Sequence, residues 1–150
     1  MADEALVTTL GEIDLFHGLS RKVLTRIADA GHEARYEAGH VILAQGESVT
    51  GFKAFSPAGV EMHVILDGAA RVDVDGVTHT VLGPGRYFGE IALIDGQPRS
   101  ANVVADEGGL TTLALSKWTF EDLLEKHPEI AVPMLRVLAA RLRADESGSQ

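Results

Sequence analysis

A chain of 150 residues with a formal net charge of −9 suits one domain with a sizeable core. Its 45% hydrophobic and 23% charged content is ordinary for a soluble globular protein. The acidic balance excludes a broadly basic nucleic-acid footprint and offers nothing to anionic lipid, and without cysteine there is neither a disulfide framework nor a thiolate metal site. MADEALVTTL lacks the basic region and long apolar core of a secretory signal, and no apolar run is long enough to span a membrane. The reading is a soluble, cytoplasmic protein, and an anionic small ligand would have to be captured by local donors against an unfavourable overall field.

In chain order, ALVTTLGEIDLF reads as a weakly amphipathic helical segment. LSRKVLTRIADAG follows as a capped helix, with Ser20 as N-cap, Leu19 and Leu24 spaced as a hydrophobic staple, and Gly31 at the C′ stop. From His32 to about Leu115, short β-rich runs alternate with glycines, the pattern of an all-β barrel or sandwich. RVDVDGVTHTV is the clearest hairpin, with Asp75-Gly76 as a type I′ turn. Pairing across it places Val72, Val74, Val77 and His79 on a buried face and Asp73, Thr78 and Thr80 on a wet one. RSANVVA and GLTTLALS read as a further strand pair.

Helix returns near Trp118, capped by Ser116 or Thr119, and Pro128 ends or redirects it. The last helix carries Ile130, Met134, Leu135, Leu138 and Leu142 on roughly one stripe, with Pro133 in its first turns. The expected architecture is a single domain, mainly β with flanking helices. N-terminal helices at about 3–31 precede an antiparallel β-roll at about 32–115, jelly-roll-like, and two C-terminal helices follow at about 117–144.

One stretch, GRYFGEIALIDGQPRSA, sets an acid and a base in a mostly apolar run. A glycine followed by a short helical turn, GEIALI, points backbone N–H groups at an anion. Gly89 allows close approach to the main chain. Arg99 adds a fork of donors suited to phosphate, while Ser100 and the Ala101 N–H add two more. Glu90 would repel a phosphate, but it makes sense against a hydroxyl beside one, such as a ribose 2′-OH. A phosphate and a free 2′-OH close together describe a nucleotide, and if the phosphate is tied back to the sugar the two lie at a short, fixed separation.

FGEIALIDGQPRSANVVA resembles the phosphate-binding cassette of the cyclic-nucleotide-binding domain family, whose pattern is F-G-E-(L/I)-A-L, a variable loop, then P-R-(S/T/A)-A. AGHVILAQGE, LDGAARVDVDG and LGPGRYFGE are similar to the family's β segments leading into it. The resemblance implies a β-roll and a non-enzymatic sensor or regulatory module that needs no cofactor. It further implies that Glu90 accepts from the ribose 2′-OH and that Arg99 pairs with the cyclic phosphate. The N–H groups of Ile91, Ala92 and Ala101, with the Ser100 hydroxyl and Gly89, would complete the cradle. A residue of the last helix would cap the base, with Arg141 the first positional match and Leu138 the next. cAMP is the favoured ligand and cGMP the alternative, since Ser100 is compatible with either. The last helix would respond to ligand and offer its stripe to a protein partner or a second copy.

Two departures stand out. Val49 to Glu61 is longer than the family's usual connection and reads as a protruding loop. The chain stops after the capping helix, so the helix-turn-helix of the family's bacterial transcription factors is not expected. Two competing readings belong to other classes. A cupin-like β-roll metalloenzyme would want an H-x-H pair with a following acid. The sequence around His63, EMHVILDG, lacks the second histidine. A degenerate domain kept for protein contact would have no need of so complete a cassette. Phe52, Phe55 and Phe120 read as core or as packing under the long loop.

Overall fold

The computed structural model describes residues 3–50 and 60–148. Helices α1 (Glu4–Gly11) and α2 (Arg21–Ala30) are joined through a 3-10 turn, Asp14–Phe16. Strands β1 (His32–Tyr36), β2 (Val41–Leu43), β3 (Glu61–Val74), β4 (Val77–Leu82) and β5 (Tyr87–Phe88) follow. Then come α3 (Glu90–Asp95), β6 (Asn102–Ser116), α4 (Lys117–Lys126), a 3-10 turn at Pro128–Ile130, and α5 (Ala131–Gly148). The six strands form one antiparallel sheet in the order β1-β6-β3-β4, with β2 on β6 and β5 on β3.

The architecture follows from two long strands that bend together. RSANVVA and GLTTLALS are not a pair but one strand, β6, which runs beside β3 from Asn102 to Ser116. At the bend Gly68 and Gly109 both take positive φ, +80° and +79°. A Cβ on Gly68 would overlap the Gly109 carbonyl oxygen, so the two backbones meet where only glycine fits. Across this corner β6 exchanges β1 for β2 as its outer neighbour, and β3 exchanges β5 for β4. A ribbon that bends and changes partners on both edges rolls up, leaving one end for the helices and the other for a cavity.

The helical end is packed by Leu10, Phe16 and Ile27 against Val64, Leu113 and Leu115 from the strands, joined by Phe120, Ile130 and Met134. Ser20 caps α2 through Val23 N, and Ser116, rather than Thr119, caps α4 through Thr119 N. Leu19 packs against the same cluster that buries Leu24. Gly31 closes α2 but is extended, with φ −88° and ψ 174°. It is required for space, because a Cβ there would lie 2.8 Å from Leu115 and 2.9 Å from Leu113. Pro133 falls in the first turn of α5, where its missing N–H has no helical partner to lose.

The hairpin turn is as expected, with Asp75 at φ 52° and Gly76 at φ 79°. Its register is not. A shift between Val72 and Asp73 sets Val72 opposite Thr80 instead of His79, and the Val72–Val74 face lines a cavity instead of a packed core. The last helix differs too. Ile130 and Met134 are buried, yet Leu135 and Leu142 remain 63% and 60% exposed. Val49 and Val60 are buried and anchor both ends of the long connection. Phe52 and Phe55 lie outside the described residues, whereas Phe120 is in the core.

His63, on β3, is the one histidine buried in the roll. It stacks on Phe88 at 4.9 Å, and its Nδ1 shares a 2.9 Å hydrogen bond with Thr112 Oγ1. Burial, and then the charges of Arg99 and His32, hold its pKa down to about 3 from 6.5. The unfolded chain therefore takes up this proton first as pH falls. Stability from the neutral ring is full above 6.5 and drains by about 1.4 kcal/mol per pH unit below it. Urea denaturation at about pH 7.5 and about pH 5 should show wild type losing roughly 2 kcal/mol more than His63→Gln between the two.

Candidate ligand-binding site

Gly89 is the N-cap of α3, in the left-handed region at φ 89°. A Cβ there would lie 3.0 Å from the Glu61 carbonyl oxygen and 3.3 Å from an Arg99 terminal nitrogen. This glycine opens the short helix that carries Glu90 inward, and Glu90 is only 2% exposed. Arg99 returns toward it from the loop after α3, itself only 6% exposed.

The two charges do not pair with each other. Arg99 donates one terminal N–H to the Gly89 carbonyl at 2.8 Å and the other to the Glu61 carbonyl at 3.0 Å. Its own main chain is fixed by hydrogen bonds to Glu47 O and from Gly46 N, each 2.8 Å. After all this, Arg99 Nε and Glu90 Oε2 are buried side-chain atoms with no partner. A buried donor and a buried acceptor left unmatched cost about 1–3 kcal/mol each, more for charged groups. Two on neighbouring residues mark a place prepared for something else.

Burial raises the Glu90 pKa, an effect offset by Arg141, by its own backbone N–H and by Arg99. Burial likewise lowers that of Arg99, against the fields of Glu47, Glu90 and Glu61. Tyr87, beneath them, is pushed up to about 12 by burial and by Glu90.

Gly89, Glu90, Ile91, Ala92, Arg99, Ser100, Ala101 and Arg141 all line one cavity of about 1140 Å³. Its apolar wall is the Val72–Val74 face with Leu82 and Phe88, and α5 covers it with Val137 and Ala140. Arg141 stands where its guanidinium reaches Glu90 Oε1 at 3.8 Å, over the acid of the cassette. Leu138 is half-buried and is not part of the lining. Arg86 and Arg136 line the cavity as well, and neither was singled out from the sequence, since isolated arginines carry no motif. Nor did the sequence mark the Glu61 carbonyl that fixes Arg99, because a main-chain acceptor is present at every residue. Among the described residues no group of three or more His, Asp or Glu is placed to hold a metal, and no helix is long and apolar enough to cross a membrane.

Residues 33–127 match the sequence profile of the cyclic nucleotide-binding domain. The chain belongs to that family. It is 35% identical over 119 residues to a cyclic nucleotide-gated potassium channel of Mesorhizobium japonicum, covering 79% of this chain and 30% of the channel. It is 29% identical over 144 residues to cGMP-dependent protein kinase 2 of Mus musculus, covering 96% of this chain and 18% of the kinase. The chain thus spans less than a third of either relative. Among solved structures, Thermus thermophilus catabolite activator protein superposes with a TM-score of 0.71 at 29% identity, covering 89% of this chain and 60% of that one. A cAMP-bound PfPKA-R shares the fold, with a TM-score of 0.78 at 22% identity, covering 96% of this chain and 46% of that one.

Gly89→Ala would strain the left-handed cap and press on both the Glu61 carbonyl and the Arg99 guanidinium. Chemical denaturation should show a loss of about 1–3 kcal/mol. The same change at Gly39, also at positive φ but with nothing near its Cβ, should cost less.

Proposed function

We propose that this domain binds a cyclic nucleotide, cAMP in the first place and cGMP as the alternative, and acts as a sensor or regulatory module rather than as an enzyme. The observation that carries this reading is the pair of unmatched buried atoms, Arg99 Nε and Glu90 Oε2, on two residues that line one cavity. A cyclic phosphate meets the first and a ribose 2′-OH meets the second. Closing the phosphate onto the sugar holds those groups at a short, fixed separation. Membership of the family and the cyclic-nucleotide names carried by its relatives support the same ligand class. The Ser100 hydroxyl and the N–H groups of Ile91, Ala92 and Ala101 complete the phosphate cradle. The base extends along the Val72–Val74 wall under α5.

Output follows from α5. The helix covers the cavity with one side and leaves Val132, Leu135 and Leu142 exposed on another, at 46%, 63% and 60%. Ligand that contacts the covering side shifts the population of lid positions, and the exposed apolar side gives a protein partner or a second copy a surface that moves with it. On this reading the domain serves in cytoplasmic signalling.

Calorimetric titration with cAMP and cGMP tests the reading, and wild type that binds neither would sink it. Arg99→Ala should weaken binding by about a hundredfold or more, since it strips a charge-assisted contact from a confined phosphate. Glu90→Ala should weaken it by roughly tenfold or more. A 2′-deoxy analogue should bind wild type correspondingly more weakly, yet bind Glu90→Ala almost as well as cAMP does. That non-additivity identifies the 2′-OH as the group Glu90 holds.

A further inference from the structure

The acidity of the chain poses a kinetic problem that the cavity itself answers. With a net charge of −9, the whole protein repels an anionic ligand. The cavity lining has the opposite balance, with Arg86, Arg99, Arg136 and Arg141 against the single carboxylate of Glu90. Arg141 faces Glu90, and Arg99 is committed to the phosphate position. Arg86 and Arg136 remain, both exposed.

Some exposed cations sit beside acids, as Arg21 does with Glu4 and Lys126 with Asp122. Arg86 and Arg136 have no such partner among the described residues. They come from different elements, Arg86 from the turn before β5 and Arg136 from the covering helix α5. The same lining holds the apolar side chains of Val72, Leu82 and Phe88, a low-dielectric surface that concentrates field lines instead of screening them. The field of Arg86, with that of Arg141, opposes the upward shift of the neighbouring Tyr87 phenol.

We propose that Arg86 and Arg136 are electrostatic steering residues, a positive gate that draws an anionic ligand into the cavity of an otherwise repelling protein without holding it there. The proposal rests on the cyclic-nucleotide reading of this same cavity. Steering accelerates encounter and leaves the lifetime of the complex alone.

Stopped-flow binding of a fluorescently labelled cAMP separates the two rates. The double variant Arg86→Gln/Arg136→Gln should associate about tenfold more slowly at about 0.01 M salt, with the deficit closing toward about 0.15 M. Its dissociation rate should stay within about twofold of wild type. A charge-matched control, Arg26→Gln/Arg35→Gln, removes the same charge outside the cavity lining and should associate nearly as wild type does. An unchanged association rate in the double variant overturns the proposal, as does a control slowed equally. A dissociation rate raised with association intact would make the two arginines contact residues and overturn it as well. Wild type that binds no cyclic nucleotide overturns the ligand reading itself, a distinct result.

Discussion

The site depends on one buried guanidinium and the way it is held. A cation moved out of water costs several kcal/mol unless the interior replaces its hydration. Here the replacement is main chain: carbonyls from Gly89 and Glu61 take both terminal nitrogens of Arg99. Glu47, Glu90 and Glu61 supply opposing fields. The consequence is geometric. With both terminal nitrogens engaged, the guanidinium is held in one orientation before any ligand arrives. A site prepared in this way spends little of its binding energy on ordering the protein.

The same constraint explains features that otherwise look unrelated. Glu61 opens β3 and Gly89 follows β5, and β5 pairs with β3 at His63 and Val64. The carbonyls that grip Arg99 are therefore set by the register of one short strand on one long one. His63 sits in that register opposite Phe88, and burial, followed by the charges of Arg99 and His32, keeps it neutral. The corner at Gly68 and Gly109 then turns the remaining length of β3 and β6 away, so that Val72 and Val74 face Arg99 across a cavity instead of stacking beside it.

Much of this was legible in the sequence, and what was not has a physical cause. The cassette could be read because its residue types are improbable together: a carboxylate, a guanidinium and a tight glycine in an apolar run. The caps at Ser20 and Ser116 could be read because a hydroxyl ahead of a helix has one obvious task. β6 could not, because Gly108-Gly109 signals a turn to any local reading, whereas opposite Gly68 it serves as a bend within a strand. The stripe on α5 was misjudged for a related reason. Periodicity shows that a helix has an apolar side, not which neighbour covers it. Ile130, in the 3-10 turn before α5, and Met134 meet the core, whereas Leu135, about 100° round the helix from Met134, does not. The bulge that sets Val72 against Thr80 leaves no mark in the pattern of alternation at all.

Glu90 offers two oxygens, and they are used unequally. Oε1 faces Arg141 at 3.8 Å, long for a charge-assisted hydrogen bond, while Oε2 has no partner. A ligand hydroxyl donating to Oε2 therefore need not displace Arg141 from Oε1. It also favours the ionised carboxylate against the burial that raises its pKa. A carboxylate held in its charged form attracts Arg141 more strongly, and Arg141 belongs to the helix that covers the cavity. On the proposed reading, ligand and covering helix would act on different atoms of one group, and each would make the other's contact more favourable. This is a coupling free energy in its simplest form, reciprocal by necessity: whatever the sugar hydroxyl contributes to closing α5, the closing of α5 returns to the affinity for the sugar.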